Sequence, residues 1–164
     1  MPLFSLIRFI LVFISISSSI PGLAVGDVSL TPFATYRSGQ FEASASEIVT
    51  YDPRSARVFV TNASNGSIDV LQFSVTSGLT LVSSIPTPNP VTHVRIWDDG
   101  IESHVVASLL GANTTAPGSV RVYSTSGVLQ ASYTVGAFPD MGYITSTRLA
   151  LTGNGGQPAG GATA

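Results

Sequence analysis

Short stretches of alternating or β-branched apolar residues run along most of the chain, and Gly, Pro, Asn and Ser separate them. This pattern is typical of β-strands, and almost no segment has the 3.6-residue period of an amphipathic helix. We therefore predict an all-β protein. The predicted strands cover residues 28–36, 46–51, 56–62, 67–74, 79–85, 92–97, 103–109, 118–124, 128–135, 140–145 and 148–152.

Pairs of residues ending in glycine mark tight turns between these strands. Asn65-Gly66 lies between VFVTN and SIDVLQF, and it predicts a hairpin with a type I′ turn, in which both central residues need φ > 0. Asp99-Gly100 and Ser126-Gly127 predict two further tight turns. Each turn would join two neighbouring strands into an antiparallel hairpin.

A unit of about 45 residues repeats along the chain, which is the length of a β-propeller blade. Its starts align as SEIVTYDP (46–53), THVRIWDD (92–99) and PDMGYITS (139–146). Four predicted strands follow from each of the first two starts, and the third unit stops after two strands. We predict four-stranded antiparallel blades of the β-propeller type at 46–85 and 91–135 and the start of a third blade at 139–152, because a sandwich would not repeat residue types at one register.

The alignment also matches individual positions. Tyr51 falls on Trp97, and Asp52 falls on Asp98. The remaining matched positions are apolar Ile48, Val94 and Met141, each preceded by a polar residue, Glu47, His93 or Asp140, at spacings of 46 and 47.

About two and a half blades cannot close a propeller ring. An open array would leave an apolar blade face and strand edges unpaired, which favours association. We therefore expect the chain to be the front part of a longer protein or a truncated gene model.

The two ends of the chain differ from the repeats. Arg8, the short apolar run 9–20, and Gly22 and Ala24 at the −3 and −1 positions predict a secretory signal peptide at 1–24. The run is shorter than the ~20 residues of a spanning helix, which argues against an uncleaved anchor. Residues 25–45 are predicted to hold a strand and a lead-in, and the Gly- and Ala-rich tail 153–164 to be disordered.

Composition excludes several classes of function. The part after residue 24 has six Arg, no Lys and nine acidic residues, so it lacks the basic patch of a nucleic-acid binder. The absence of Cys excludes disulfides, thiolate metal sites and Cys nucleophiles. Contact with a membrane would need an anchor outside this sequence. Three N-glycosylation sequons begin at Asn62, Asn65 and Asn113; the last two lie in turn-like sequence, and Asn62 closes a strand, where partial burial is expected.

Three segments, 35–73, 116–127 and 135–141, resemble the choice-of-anchor I domain family, which includes mesenchyme-specific cell-surface glycoproteins. The resemblance implies a secreted or surface β-propeller with a matrix or surface role, and it covers only the front of the family's domain. Some members are labelled alkaline-phosphatase-like, which implies an alternative function as a metal-dependent phosphoric-ester hydrolase. The chain has Asn154-Gly155-Gly156-Gln157-Pro158 where the family carries Asn-Glu-Gly-Glu-Pro, so both carboxylates are missing.

One set of polar residues could form a shared site. In a propeller, Glu47, His93 and Asp140 would start the innermost strands and ring one mouth of the axial channel. Carboxylate and imidazole groups suit a polar ligand or a divalent metal such as calcium. The alternative is that the three side chains cap neighbouring strands and form hydrogen bonds across the channel.

A second cluster contains Asp98, Asp99, Glu102 and His104. It lacks the spacing of a calcium-binding hand, and we interpret it as a hairpin turn. Ser and Thr match no nucleophile motif, so no catalytic residue is assigned. The sequence thus predicts a secreted or cell-surface binding or matrix module rather than an enzyme. Its partner would be an extracellular protein, a glycan or a mineral surface.

We predict that the signal peptidase cleaves after Ala24, with the bond after Gly26 as the next choice. The reason is the small residues at Gly22 and Ala24 behind an apolar core. Sequencing the N-terminus of the secreted protein checks this, and a secreted product that begins at Met1 would contradict it.

Overall fold

Ten antiparallel strands make up the computed structural model, which describes residues 31–39, 46–145 and 150–155. The described residues contain no helix, and so none that could cross a membrane. The all-β prediction is confirmed for them. The strands are β1 (Val49–Asp52), β2 (Arg57–Asn62), β3 (Ser67–Ser74), β4 (Gly78–Pro86), β5 (Val91–Asp98), β6 (Ser103–Leu109), β7 (Pro117–Ser124), β8 (Leu129–Ala137), β9 (Pro139–Ile144) and β10 (Ala150–Asn154).

The strands form three sheets in chain order, and each sheet pairs sequence neighbours only. Sheet 1 has the order β1-β2-β3-β4, sheet 2 the order β5-β6-β7-β8, and sheet 3 consists of β9 and β10. Four-stranded antiparallel units are therefore present, as the repeat predicted. The connection between β6 and β7, residues 110–116, is longer than the equivalent connection between β2 and β3, residues 63–66. The described residues do not close into a ring.

The predicted strand at 28–36 is wrong for its described part. Residues 31–36 pair with no strand, and residues 28–30 lie outside the described ranges. Pro32 has no backbone N–H to donate, and this segment contacts sheet 1 through side chains instead. The ring of Phe33 packs edge-on against Phe73, and the hydroxyl of Tyr36 donates to Asp69. The predicted signal peptide 1–24 and tail residues 156–164 also lie outside the described ranges. The tail was predicted to be disordered from residue 153, but Gly153 and Asn154 belong to β10.

The hairpin predicted at Asn65-Gly66 is present, but the predicted type I′ turn is wrong. Of these two residues only Gly66 has a positive φ, at 59°. A four-residue connection joins β2 to β3, and Ala63 O accepts from Gly66 N. Buried Asn62 caps this turn, because its Oδ1 accepts from Ser64 Oγ and Asn65 N at 3.0 and 3.3 Å. One left-handed residue then suffices, as in longer loops built around a type I turn.

A single apolar core lies between sheets 1 and 2. The side chains of Ile48, Thr50 and Asp52 face sheet 2, where Ile96 N donates to Thr50 Oγ1 and Ser103 Oγ donates to Asp52 Oδ1. Burying one large aliphatic or aromatic side chain contributes about 1.5–3 kcal/mol. The buried members of the core are Phe59, Ile68, Val70 and Ile85 from sheet 1 and Val91, Val94, Val105, Ala107, Leu109 and Tyr123 from sheet 2.

The opposite face of sheet 2 packs against sheet 3. The guanidinium carbon of Arg95 lies 4.5 Å from the ring centroid of Tyr143, and Thr92 Oγ1 donates to Ser108 O and Pro139 O. The first strands are neighbours throughout, since β1 contacts β5 and β5 contacts β9. Sheet 2 therefore uses one face for sheet 1 and its opposite face for sheet 3.

The matches of Tyr51 to Trp97 and of Asp52 to Asp98 are wrong in the folded structure. Asp52 faces the following sheet, whereas Asp98 shares the face of Val94 and Ile96, which pack towards the preceding sheet. The two hairpins correspond only after a shift of one residue, which turns every side chain to the other face.

The turns explain this shift. Asp99 N donates to Glu102 O at 3.1 Å in sheet 2, but the aligned residue in sheet 1 is Pro53, which has no N–H. Ala56, which aligns with Glu102, takes a positive φ of 53°, and its carbonyl oxygen accepts from Phe73 N and Gln72 Nε2 instead.

The turn between β1 and β2 fastens sheet 1 to sheet 2. Asp52 is buried and accepts hydrogen bonds from Arg54 N, Ser55 N, Ser55 Oγ and Ser103 Oγ. Burial raises the pKa of Asp52, but the Ser55 and Ser103 hydroxyls and the two amides outweigh it and hold the pKa below its usual value. Arg54 Nη2 donates to both carboxylate oxygens of Asp98 at 2.9 Å. Both of these side chains are about half exposed, so water screens the pair.

We predict that Asp52→Asn lowers the free energy of unfolding at pH 7 by about 1–3 kcal/mol, because an amide cannot replace a carboxylate that accepts four hydrogen bonds. Because the pKa of Asp52 is lower in the folded state than in the unfolded state, its charged carboxylate stabilises the fold at pH values above the unfolded-state pKa of about 4. This contribution is lost as the pH falls through the folded-state pKa. Urea unfolding at pH 7 and pH 3 should therefore show a smaller difference from wild type at pH 3. Asp98→Asn is the exposed control, for which we expect little change at either pH. An equal loss for Asp52→Asn at both pH values would contradict the role of the charge.

Candidate functional site

His93 and Asp140, two of the three predicted site residues, lie at the interface of sheets 2 and 3. His93 is on β5, and Asp140 is an exposed residue of β9. Gly142 leaves room here, because a Cβ at that position would lie 3.2 Å from Ser108 Oγ and 4.0 Å from His93 Cδ2. The close packing of β9 on this face of sheet 2 thus depends on a residue without a side chain.

The charges around His93 act in opposite directions. Burial lowers the pKa of His93 most, the positive charge of Arg95 lowers it further, and the negative charge of Asp140 raises it. The net effect is a pKa below the usual value, which keeps the imidazole neutral at pH 7. A neutral imidazole beside an accessible carboxylate and a guanidinium can donate or accept hydrogen bonds to a polar ligand.

Glu47 does not join these two residues. It is exposed and precedes β1, and the alternation of side chains puts it with Val49 and Tyr51 on the face turned away from sheet 2. Across residues 31–39, 46–145 and 150–155, no group of three or more His, Asp or Glu could hold a metal ion. Ligand binding by Glu47, His93 and Asp140 stays a prediction, and the geometry brings together only the last two.

The contact between Arg95 and Tyr143 was missed in the sequence. The guanidinium lies over the face of an exposed ring, at a distance typical of a cation–π interaction. The signal that could have found it is position, since both residues lie on the first strands of consecutive units. Their contact could not be predicted from the sequence, because it depends on the packing of β5 against β9.

The acidic cluster at 98–104 forms a hairpin turn, as predicted. Asp99 Oδ1 accepts from the backbone N–H groups of Ile101 and Glu102, each at 2.8 Å. Hydrogen bonds from these two amides, and then the contact with His104, lower the pKa of Asp99 to about 2. His104 is buried, its ring stacks on Trp97 with centroids 4.9 Å apart, and its Nε2 lies 3.4 Å from Asp99 Oδ2. These contacts stabilise the turn.

An apolar groove of about 440 Å³ runs along the face of sheet 1 that is turned away from sheet 2. The ring centroid of Phe73 lies 5.9 Å from that of Phe33 and 6.0 Å from that of Tyr51, and both pairs have edge-to-face geometry. Phe33 and Tyr51 are 61% and 47% exposed, so these rings are accessible from solvent. The groove is lined by Phe33, Ala34, Val49, Tyr51, Val58, Phe73 and Leu79.

A buried polar network borders this groove. Asp69 accepts from Tyr36 Oη at 2.9 Å, Asn62 Nδ2 at 2.9 Å and Ser84 Oγ at 2.8 Å. Burial, and then the hydrogen bond and charge of Asp69, raise the pKa of Tyr36 to about 12. This network holds the segment around Tyr36 on sheet 1 and places Phe33 and Ala34 in the wall of the groove.

The three sequons occupy different environments. Asn62 is buried, whereas Asn65 lies exposed in the turn between β2 and β3. Asn113 lies exposed in the connection between β6 and β7, which is the equivalent connection in sheet 2. The burial of Asn62 exceeds the partial burial expected from the sequence.

No protein-family model, no curated protein and no solved structure matches this chain.

We predict that neighbouring charges move the pKa of His93 in opposite directions. Arg95→Met should raise this pKa, because it removes a positive charge, and Asp140→Asn should lower it, because it removes a negative charge. The check is an NMR titration of the imidazole C–H signals, which are simple to assign with two His in the chain. His104 serves as an internal control and should be unchanged. If neither variant changed the pKa of His93, the result would show that the three groups do not interact.

Proposed function

We propose that the chain is the β-propeller part of a secreted or cell-surface binding or matrix module that resembles the choice-of-anchor I family. The directional packing of the sheets carries this proposal. Sheet 1 offers one face to sheet 2, sheet 2 offers its opposite face to sheet 3, and the first strands are neighbours. This order of faces is what successive blades of a propeller require, because each blade repeats the contact of the blade before it.

The apolar groove on sheet 1 supports the same arrangement. Val49 and Tyr51 lie on the face of sheet 1 that is turned away from sheet 2. The residues on the corresponding face of sheet 2, Val94 and Ile96, pack against sheet 1. The corresponding face of sheet 2 is thus covered by sheet 1. The groove is therefore the face of sheet 1 that a preceding sheet would cover. We propose that its occupant is a further four-stranded sheet of this kind, which would continue the array towards a ring.

Secretion rests on the predicted signal peptide and on the sequons. The acidic composition without Lys fits an extracellular partner, such as a protein, a glycan or a mineral surface, and not a nucleic acid. His93 and Asp140 would be the polar residues nearest to such a ligand at the start of the inner strands. The hydrolase alternative is not carried further, because no observation on the described residues favours it.

Expression of the full chain in secretory animal cells tests the proposed function. We expect the protein in the medium and bound to the cell surface or to deposited matrix, and a chain lacking residues 2–24 should stay inside the cell. Secreted protein that binds neither cells, matrix, a glycan array nor hydroxyapatite would overturn the binding module. Hydrolysis of p-nitrophenyl phosphate by the purified protein would favour the hydrolase instead.

We predict that the isolated segment 25–164 associates through the groove on sheet 1. Val49→Asp should reduce association, because it puts a charge on an apolar face that would otherwise be buried. Val128→Asp is the matched control, since the two valines are 65% and 64% exposed and Val128 lies in the turn between β7 and β8. Light scattering over a concentration series measures the association. A monomeric wild-type segment, or an equal effect of both variants, would contradict the role of the groove.

A further inference from the structure

The structure separates the three sequons by the surroundings of the amide nitrogen that would carry a glycan. An N-linked glycan replaces one hydrogen of the asparagine Nδ2 and needs open space beside it. The sequons themselves, Asn62-Ala63-Ser64, Asn65-Gly66-Ser67 and Asn113-Thr114-Thr115, do not differ in this requirement.

Asn62 has no such space. It is 2% exposed, and its Nδ2 donates at 2.9 Å to Asp69 Oδ2, which belongs to a carboxylate that is itself 3% exposed. Its Oδ1 accepts from Ser64 Oγ and Asn65 N and so closes the turn after β2. A sugar would leave one N–H on this nitrogen, but there is no open space for it beside the buried carboxylate. Its attachment would therefore displace the bond to Asp69 or open the turn, which is costly in a folded protein.

Asn65 lies three residues further on, on the exposed side of the same turn. Its backbone N–H donates to Asn62 Oδ1, but the residue itself is exposed. A glycan here leaves the bond between Asn62 and Asp69 intact. The two adjacent sequons are therefore not equivalent in the folded protein.

Asn113 is exposed and held by the residues of its own sequon. Its Oδ1 accepts from Thr115 N at 3.0 Å, Thr115 Oγ1 at 2.9 Å and Ala116 N at 2.8 Å. All three bonds use the carbonyl oxygen, so the amide nitrogen takes no part in them. The side chain is thus fixed by one atom while the glycan-bearing atom remains on the exposed side.

We propose that the secreted, folded protein carries N-linked glycans on Asn65 and Asn113 and none on Asn62. The proposal rests on the proposed secretion. Both acceptors lie in the connection between the second and third strands of their sheets, at the end where β1 and β5 begin. The glycans would extend from these two connections, and the turns between β1 and β2 and between β5 and β6 would carry none.

The test uses the full chain behind a proven signal sequence from another protein, so a failure of the native leader cannot be confused with a failure of this proposal. Protein purified from the medium is treated with peptide N-glycosidase in heavy-oxygen water, and peptide mass spectrometry locates each labelled Asp. We expect label at positions 65 and 113 and unmodified Asn at position 62. Label at 62 in most of the secreted protein, or its absence at 65 or 113, would overturn the assignment.

Matched variants separate the loss of a sequon from the loss of a structural bond. Ser64→Ala removes the first sequon but keeps Asn62, and we expect no change in glycan mass. Asn62→Gln should also leave the glycan mass unchanged but reduce the secreted yield several-fold, because the longer side chain cannot keep both the Asp69 bond and the turn. Ser67→Ala and Thr115→Ala should each remove one glycan. Loss of a glycan in Ser64→Ala would contradict the proposal.

Discussion

The burial of the face formed by Ile48, Thr50 and Asp52 against the near face of sheet 2 is the constraint on which the other features depend. The chain has no Cys, so no disulfide supports a fold whose stability must come from this apolar core. A strand buried on one face cannot slip by one residue, because a slip would bring every side chain to the wrong side. The register of β1 therefore decides what faces the core and what faces the groove.

A buried carboxylate lies on each face of sheet 1, Asp52 on the face towards sheet 2 and Asp69 beside the groove. Asp52 accepts a hydrogen bond from Ser103 of sheet 2, and Asp69 accepts hydrogen bonds from Tyr36, Asn62 and Ser84. Each carboxylate is buried and each receives several hydrogen bonds, which is the condition under which a buried charge is tolerated. The same requirement explains why Asn62 belongs to the structure although it stands in a sequon.

The packing order also relates the candidate sites to one another. Because sheet 2 uses opposite faces for its two neighbours, His93 and Asp140 meet where sheet 2 receives sheet 3, while sheet 1 keeps an apolar face that no sheet of the described residues covers. In the proposed propeller, that apolar face would serve assembly of the array, and His93 and Asp140 would form a polar surface at the start of the inner strands.

Much of the local structure was determined by the sequence. Ten of the eleven predicted strands are present within three residues of their predicted ends, because alternation and glycine turns are local signals. The apolar face of sheet 1 and the turn at Asp99 also followed from the sequence. Tertiary structure decided which way the aligned residues point. Pro53 cannot make the turn bond of Asp99, and this difference sets Glu47 apart from His93 although their spacing matches. It also decided that Asn62 is a buried donor to Asp69, since that carboxylate reaches it only when β2 and β3 pair.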